Sequence, residues 1–244
     1  GPNLSAPFKQ HAKVDAVIHT ATCYGRSVEN SAEIFEANVA FPLRLLETAA
    51  SFNTHAFFNT DTFFNTDTIL YKYLGGYALS KKQFGDWGKL YAGNKNIRFV
   101  NIKLEHMFGP GDNASKFTSH VINSCLANVH DLKLTLGEQR RDFVYIDDVI
   151  AAYEVLLEKT ENQTDFFQEY DLGSGKAVTI CEFVKTVHRF SGASTQLNFG
   201  ALPYRENEIM KSEANIEKLT LLGWRCQTNL ADGIEKTIFY EREL

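Results

Sequence analysis

The chain has 244 residues, 44% hydrophobic and 23% charged, with a net charge of −5, the balance of an ordinary globular protein able to bury a core of its own. That balance, without a basic stripe, excludes a general nucleic-acid binder; no apolar run reaches the ~20 residues of a membrane span, and the first residues do not read as a secretory signal. Cys23, Cys125, Cys181 and Cys226 are scattered without paired spacing, so neither a disulfide frame nor a metal site is expected, and the reading is a reduced, cytoplasmic protein.

Val14–His19 is short, apolar and β-branched, the pattern of a buried parallel strand. Small residues follow it, Thr20, Ala21 and Thr22, at the end of the strand where open parallel sheets bind ligands. From about Ser31 to Ala50, apolar residues recur at helical spacing, with a kink or break expected at Pro42. Ala56-Phe57-Phe58 reads as the next strand. Phe57-Phe58-Asn59-Thr60-Asp61-Thr62 is then repeated at once as Phe63-Phe64-Asn65-Thr66-Asp67-Thr68. Two copies are too few for a solenoid, and the first copy is read as strand end and site, the second as loop.

Tyr77 to about Tyr91 reads as a helix and Ile97–Leu104 as a strand. Phe108-Gly109-Pro110-Gly111-Asp112 is a turn cluster, Lys116–Ala127 a helix, and Leu132–Thr135 and Asp142–Ile146 strands. Asp147 and Asp148 open a helix with favourable charge in its first turn. Shorter elements follow: strands near Glu169–Leu172 and Gln196–Phe199, and helices near Ile180–Phe190, Asn215–Leu221 and Ala231–Tyr240. Alternating strands and helices through Leu104 predict an α/β fold with a parallel sheet, and an α+β lobe after it.

Tyr77 and Lys81 are four apart and share a helix face. A phenol is almost fully protonated at pH 7, and a cation nearby favours its phenolate. The pair is therefore a candidate proton-transfer device.

Taken in order, Val17-Ile18-His19-Thr20-Ala21, Asn38, the Thr60 stretch, Tyr77 with Lys81, Phe108-Gly109-Pro110-Gly111-Asp112 and Arg141–Asp148 resemble the extended short-chain dehydrogenase/reductases that act on nucleotide-diphosphate sugars, the NAD-dependent epimerase/dehydratase family. Ala21–Arg26, Lys103-Leu104-Glu105-His106 and Glu206–Met210 resemble its CDP-abequose and CDP-paratose synthase branch, reductases of a CDP-4-keto-3,6-dideoxy sugar in O-antigen lipopolysaccharide synthesis.

The resemblance implies a Rossmann-like sheet and a set of roles. Tyr77 is the acid/base. Lys81 tunes it and bonds the nicotinamide ribose. Thr60 holds the substrate oxygen, with Thr62 a rival that faces the same side of a strand and is not separated from it. Related 4,6-dehydratases carry an Asp-Glu pair where this chain has Asp61 and Thr62, which argues against dehydration. Thr20, Ala21, Thr22, Asn38 and Leu104 are expected around the cofactor. Arg141 and Arg205 are expected to clamp the diphosphate, a task suited to guanidinium forks, with His106 and Lys116 nearby.

The family's Gly-rich cofactor turn has no counterpart in this sequence. The expectation is a sheet lacking its N-terminal dinucleotide-binding βαβ half, a partial Rossmann-like domain over residues 1–112 with a returning strand and helix near 132–160, and a nucleotide-sugar lobe over 113–244. Strand 14–19 would then be an exposed edge, covered by another chain or within a homodimer. The expected activity of the whole enzyme is 4-keto reduction with NADP or NAD, NADPH being favoured by the resemblance, and the 244-residue chain alone is expected to bind NAD(P)H very weakly and to be inactive. The alternatives are a 4-epimerase, or an inactive fragment that binds a nucleotide or partner.

Overall fold

The computed structural model describes residues 3–11, 14–26, 29–55, 62–159 and 164–243. The chain forms two compact units, residues 1–104 with 154–171, and residues 105–153 with 172–244.

In the first unit, β1 (Ala16–His19), β2 (Thr62–Thr68), β3 (Arg98–Leu104) and β7 (Phe167–Leu172) lie in the order β1-β2-β3-β7. The β1–β2 and β2–β3 pairs are parallel, as the sequence pattern predicts. Strand β1 is the edge of the described sheet, and its Ile18 is 45% exposed. The helices of this unit are the short α1 (Ala6–Gln10), α2 (Ser31–Phe35), α3 (Phe41–His55) and α4 (Gly76–Gly93). Asn30 caps α2 through a capping box with Glu33, which satisfies backbone donors at the helix start.

Pro42 does not break its helix. The backbone runs from α2 into α3 through a π-helical turn at Glu36–Ala40. Proline lacks an N–H and crowds the carbonyl four residues back; the wider turn just ahead of Pro42 accommodates both.

The repeat is where the sequence reading needs correction. The second copy is the strand: β2 begins at Thr62 and runs to Thr68. Ala56–Phe58, Thr60 and Asp61 lie outside the described residues.

Strand alternation gives the α4-facing side of this sheet a graded surface. Phe63 stacks on Phe99 with centroids 5.7 Å apart, and Phe99 on Phe167 at 6.2 Å. Two residues on, His19, Asn65 and Asn101 stand side by side in register. Two further, Asp67 stands opposite Lys103. Phe84 of α4 closes on Phe63 and Phe99 with edge-to-face rings.

The second unit contains β4 (His106–Phe108), α5 (Phe117–Leu126), β5 (Asp131–Leu134), β6 (Arg140–Tyr145), α6 (from Ile146, running to Lys159), β8 (Ala177–Thr179), α7 (Ile180–Ser191), β9 (Gln196–Phe199), α8 (Glu217–Leu221) and α9 (Leu230–Glu243). Strands β4-β6-β8 form one small sheet and β5-β9 another. Phe108, Phe143 and Phe183 centre its core, with the last two rings 4.4 Å apart. Thr179 caps α7 by accepting from the Glu182 N–H at 3.0 Å, and Gly192 ends it at φ 65°, as a left-handed helix stop requires. Strands β4 and β8 and helix α1 went unanticipated; each is too short to show a period.

Candidate active site

Asn38 sits in the π-helical turn and is fully buried. Its Oδ1 accepts from the Cys23 backbone N–H at 2.7 Å and from the Thr22 hydroxyl at 3.3 Å. Its Nδ2 donates to the Cys23 carbonyl at 2.7 Å and to Ser80 Oγ of α4 at 3.0 Å. One amide thus ties the small-residue loop after β1 to the helix that carries Tyr77 and Lys81. Widened helical turns recur at functional sites, and here the turn brings Asn38 to this junction.

Tyr77 lies in the first turn of α4, its ring 5.1 Å from that of Tyr24. The Arg26 guanidinium lies over Tyr24 at 4.6 Å. Burial, with the fields of Tyr24 and Asp67, pushes the Tyr77 phenol above its usual value; a hydrogen bond with the Thr68 side chain and the charge of Arg26 draw it partway back. The net direction is opposite to that expected from a helix-face cation alone, because desolvation disfavours the phenolate more than these groups favour it. Tyr77 is therefore a phenol that holds its proton.

Lys81 is 2% exposed. Burial brings its ammonium down to about 8; Asp67 opposes that shift and Lys82 adds to it. His19 is buried beside it, with Nδ1 3.4 Å from Asn65 Oδ1 and Nε2 without a partner. Burial first, then the Lys81 charge, lowers the imidazole to about 4.

A stability prediction follows. His19 stays neutral in the fold below its unfolded pKa, so the unfolded chain binds the extra proton between about 6.5 and 4. Stability is then full above the upper value and lost as pH falls through that window, by about 3 kcal/mol in all. Urea unfolding from pH 7 to 4 measures it, and His19→Gln is expected to flatten the slope. An unaltered slope in that variant would show that other groups carry the acid sensitivity.

The end of β2 carries the hydroxyls and carboxylate of the second hexad, and Thr60 and Asp61 lie outside the described residues. Thr62 opens β2, buried, with Oγ1 unpartnered, opposite Ala16 and Arg98. It is six residues from Thr68, ~20 Å along a strand, so it does not sit with Tyr77. The residues at the Tyr77 end are Thr66, Asp67 and Thr68. Asp67 Oδ2 accepts from Lys82 Nζ at 3.1 Å and from Asn101 Nδ2 at 3.0 Å. Asn65 Nδ2 donates to Asn101 Oδ1 at 2.8 Å, and Asn101 Nδ2 to Glu169 Oε2 at 3.0 Å. Leu104 ends β3, its carbonyl accepting from the Ile69 N–H at 3.2 Å.

In the second unit, Arg141 Nη2 donates to Glu208 Oε1 at 2.6 Å and Nη1 to the Arg140 carbonyl at 2.9 Å. The buried Glu105 carboxylate meets His106 Nδ1 at 3.1 Å and accepts from the Ser212 hydroxyl at 2.5 Å. The stretch from Arg205 to Ser212 runs beside β6, pinned by Arg140 N–H to Met210 O at 2.8 Å and Ser212 N–H to Arg140 O at 3.1 Å. Arg205 itself is exposed, and its side chain makes no ion pair among the described residues. Lys116 pairs with Asp112 at 2.9 Å. Among the described residues no cluster fits a metal ion, and no helix is long and apolar enough to cross a membrane.

Residues 2–173 match the NAD dependent epimerase/dehydratase family. The chain belongs to that family. It is 37% identical over 224 residues to CDP-abequose synthase of Salmonella typhimurium (strain LT2), covering 91% of this chain and 75% of that protein. It is 34% identical to the Salmonella muenchen enzyme of the same name, covering 92% and 76%. Among solved structures, UDP-glucuronic acid 4-epimerase from Bacillus cereus superposes with a TM-score of 0.84 at 22% identity, over 100% of this chain and 79% of that one. UDP-glucose 4-epimerase from Thermotoga maritima gives 0.83 at 19%, over 98% and 81%. These two structures establish the epimerase-type fold.

Sequence reasoning missed His19, Asn65, Asp67, Lys82 and Asn101 as one buried network. A signal was present: Phe63-x-Asn65-x-Asp67 and Phe99-x-Asn101-x-Lys103 put polar residues on the same strand face as aromatic ones.

Proposed function

We propose that the chain is a nicotinamide-dependent 4-keto reductase of a nucleotide-diphosphate sugar, with Tyr77 as proton donor. The observation that carries this reading is Tyr77 in the first turn of α4, four residues from the buried Lys81, at a strand end whose one carboxylate is already engaged. Dehydration needs a free acid and a second carboxylate. Asp67 is bonded to Lys82 and Asn101, and the next residue is Thr68. The similarity to CDP-abequose synthases supports the same class of substrate.

The donor set fits the nicotinamide and ribose end of a dinucleotide. Thr20, Ala21 and Thr22 form a small-residue loop that Asn38 holds through the Thr22 hydroxyl and the backbone of Cys23, and Lys81 supplies an ammonium for ribose hydroxyls. A reduced nicotinamide, when bound, supplies the hydride. Tyr77 gives its phenolic proton to the carbonyl oxygen. Lys81 stabilises the phenolate that remains, which in a buried site needs a fixed cation. Thr68, whose side chain lies by Tyr77, and Thr66 orient the oxygen that receives the proton. The chain binds NADPH in this reading.

The test is incubation with NADPH and a CDP-4-keto-3,6-dideoxyhexose, following loss of reduced nicotinamide and formation of the 4-hydroxy sugar. Stoichiometric oxidation is expected; a 4-epimerised sugar with no net oxidation would replace this reading by epimerisation.

Arg141 and Arg205 are assigned to the diphosphate in this reading, and the two are expected to separate on substitution. Arg205→Ala weakens binding of CDP by roughly 1.5–3 kcal/mol, the scale of a charged hydrogen bond, with no change in melting. Arg141→Ala weakens it similarly and also lowers stability by ~3 kcal/mol, because the largely buried Glu208 and Glu105 lose their cation. Calorimetric titration paired with thermal melts reads both; wild-type CDP affinity in the two variants removes the clamp.

A further inference from the structure

We propose that Asp67 is a positioning residue for the Tyr77–Lys81 pair, a buried counter-ion held in place by Lys82 so that its charge serves the Lys81 ammonium. The Asp67 side chain is 1% exposed. Three donors fix it: Lys82 Nζ at 3.1 Å and Asn101 Nδ2 at 3.0 Å on one oxygen, and the Thr68 N–H at 2.6 Å on the other. Lys82 is itself anchored, since its ammonium also donates to the Thr68 carbonyl. A carboxylate so bound is held in one orientation.

Each neighbouring charge has its own role. From β1, the imidazole of His19 is kept neutral by burial and by Lys81. From β3, Lys103 is matched by Glu169 at 2.5 Å and Asp171 at 3.6 Å on β7. On α4 itself, Lys82 repels Lys81, and Tyr77 faces Tyr24 and Arg26 from the loop after β1. Gly85 lies one turn on from Lys81 on the same face of α4, and a Cβ there would stand 3.7 Å from Asp67 Oδ2, so Asp67 is set against the helix face that carries Lys81; among the described residues it is the carboxylate whose field favours the charged ammonium. A buried ammonium without such a partner would shed its proton. The graded sheet face explains the placement: Asp67 is the outermost polar residue of its row on β2, two residues beyond the amide of Asn65.

The proposal rests on the reductase reading only for its effect on turnover; the charge state of Lys81 is independent of it. The test is direct titration of Lys81 by NMR in the full chain carrying 13Cε-labelled lysine. Asp67→Asn keeps the shape and is expected to lower the Lys81 midpoint by about one pH unit or more. Lys82→Met removes the opposing cation, leaves Asp67 to Lys81 alone, and is expected to raise it. Opposite shifts establish the counter-ion; an unmoved midpoint in either variant overturns it, so a failure of one variant to fold leaves the other decisive.

Turnover of the CDP-4-keto sugar with NADPH is then followed against pH. The high-pH limb is expected to shift with the Lys81 midpoint, downward in Asp67→Asn and upward in Lys82→Met. Collapse of kcat at every pH in Asp67→Asn would make Asp67 the acid and overturn the proposal. A shifted midpoint with an unshifted limb would leave the counter-ion standing and remove Lys81 from the reductase reading.

Discussion

Replacing Tyr77 by Phe is expected to lower kcat by ~10²-fold or more, the scale of a positioned proton donor, while the protein melts near the wild-type temperature. The substitution removes one oxygen. The ring remains, with its contact to Tyr24 at 5.1 Å, and so does the first turn of α4. Losing one polar contact of the hydroxyl costs about 1 kcal/mol, too little to unfold a domain of ordinary stability. Desolvation makes the oxygen more valuable to catalysis than to folding. In the proposed reduction, a half-buried phenol pushed above its usual value would meet the carbonyl with its proton in place. Single-turnover measurement with saturating NADPH isolates the step. Were the Phe variant to turn over at the wild-type rate, the proton would come from elsewhere and the reading of α4 would fall with it.

Gly88→Ala is expected to lose about 2 kcal/mol of stability, although alanine is the better helix former by ~1 kcal/mol. Overpacking accounts for the sign. A Cβ at position 88 would lie 2.1 Å from Cζ of Phe99. That ring cannot retreat, because Phe63 stacks on one side at 5.7 Å, Phe167 on another at 6.2 Å, and Phe84 meets its edge. Forcing atoms into a filled core costs ~1–3 kcal/mol or more, and here the backbone of α4 must lift. Because α4 also carries Tyr77 and Lys81, activity is expected to fall alongside. Gly93→Ala is the control: the same helix, with nothing within 4 Å of the added methyl. Thermal melts of the two variants should move apart. A Gly88→Ala protein as stable as wild type would mean that the aromatic row yields more easily than its packing implies.

Much of this architecture was legible because period and punctuation agree. The β-branched run ending at His19, the alternation through Leu104 and the apolar stripes after Tyr77 and Ile180 each specify one element, and the structure returns them within a few residues. The Tyr77–Lys81 pair was legible for the same reason, a fixed spacing on a strongly helical stretch. The strand-end residues were not. Two identical hexads offer the same aromatics, amide, hydroxyls and carboxylate, so residue pattern cannot choose between Thr60-Asp61-Thr62 and Thr66-Asp67-Thr68. The choice depends on where α3 stops, and helix ends are the least specified part of a sequence. The direction of the Tyr77 shift was also hidden, since desolvation depends on what packs overhead, here Tyr24 from a loop. Arg141 was found by type, but its partner Glu208 comes from a distant segment that runs beside β6, a pairing no local pattern encodes.

The hexad has an even length, and that sets the shape of the folding landscape. A slip of six residues returns every side chain of Phe63-Phe64-Asn65-Thr66-Asp67-Thr68 to its own face, whereas the usual one-residue slip turns the apolar set outward and is strongly rejected. Two registers of β2 against β1 and β3 therefore present the same interior to the sheet, and the energetic gap between them comes from the connections rather than from the strand. In the observed register the link to α4 is 69–75; in the slipped one it would be 63–75, with α3 cut short to free a turn. Loop closure alone separates such links by only ~0.6 kcal/mol per doubling of length, so the uncoiled end of α3 supplies most of the bias. This is local frustration of a specific kind, two near-equal minima with one set of contacts. Refolding is expected to show a slow phase from chains that must withdraw the wrong hexad, and a chain with one copy deleted would lose that phase while keeping the same strand.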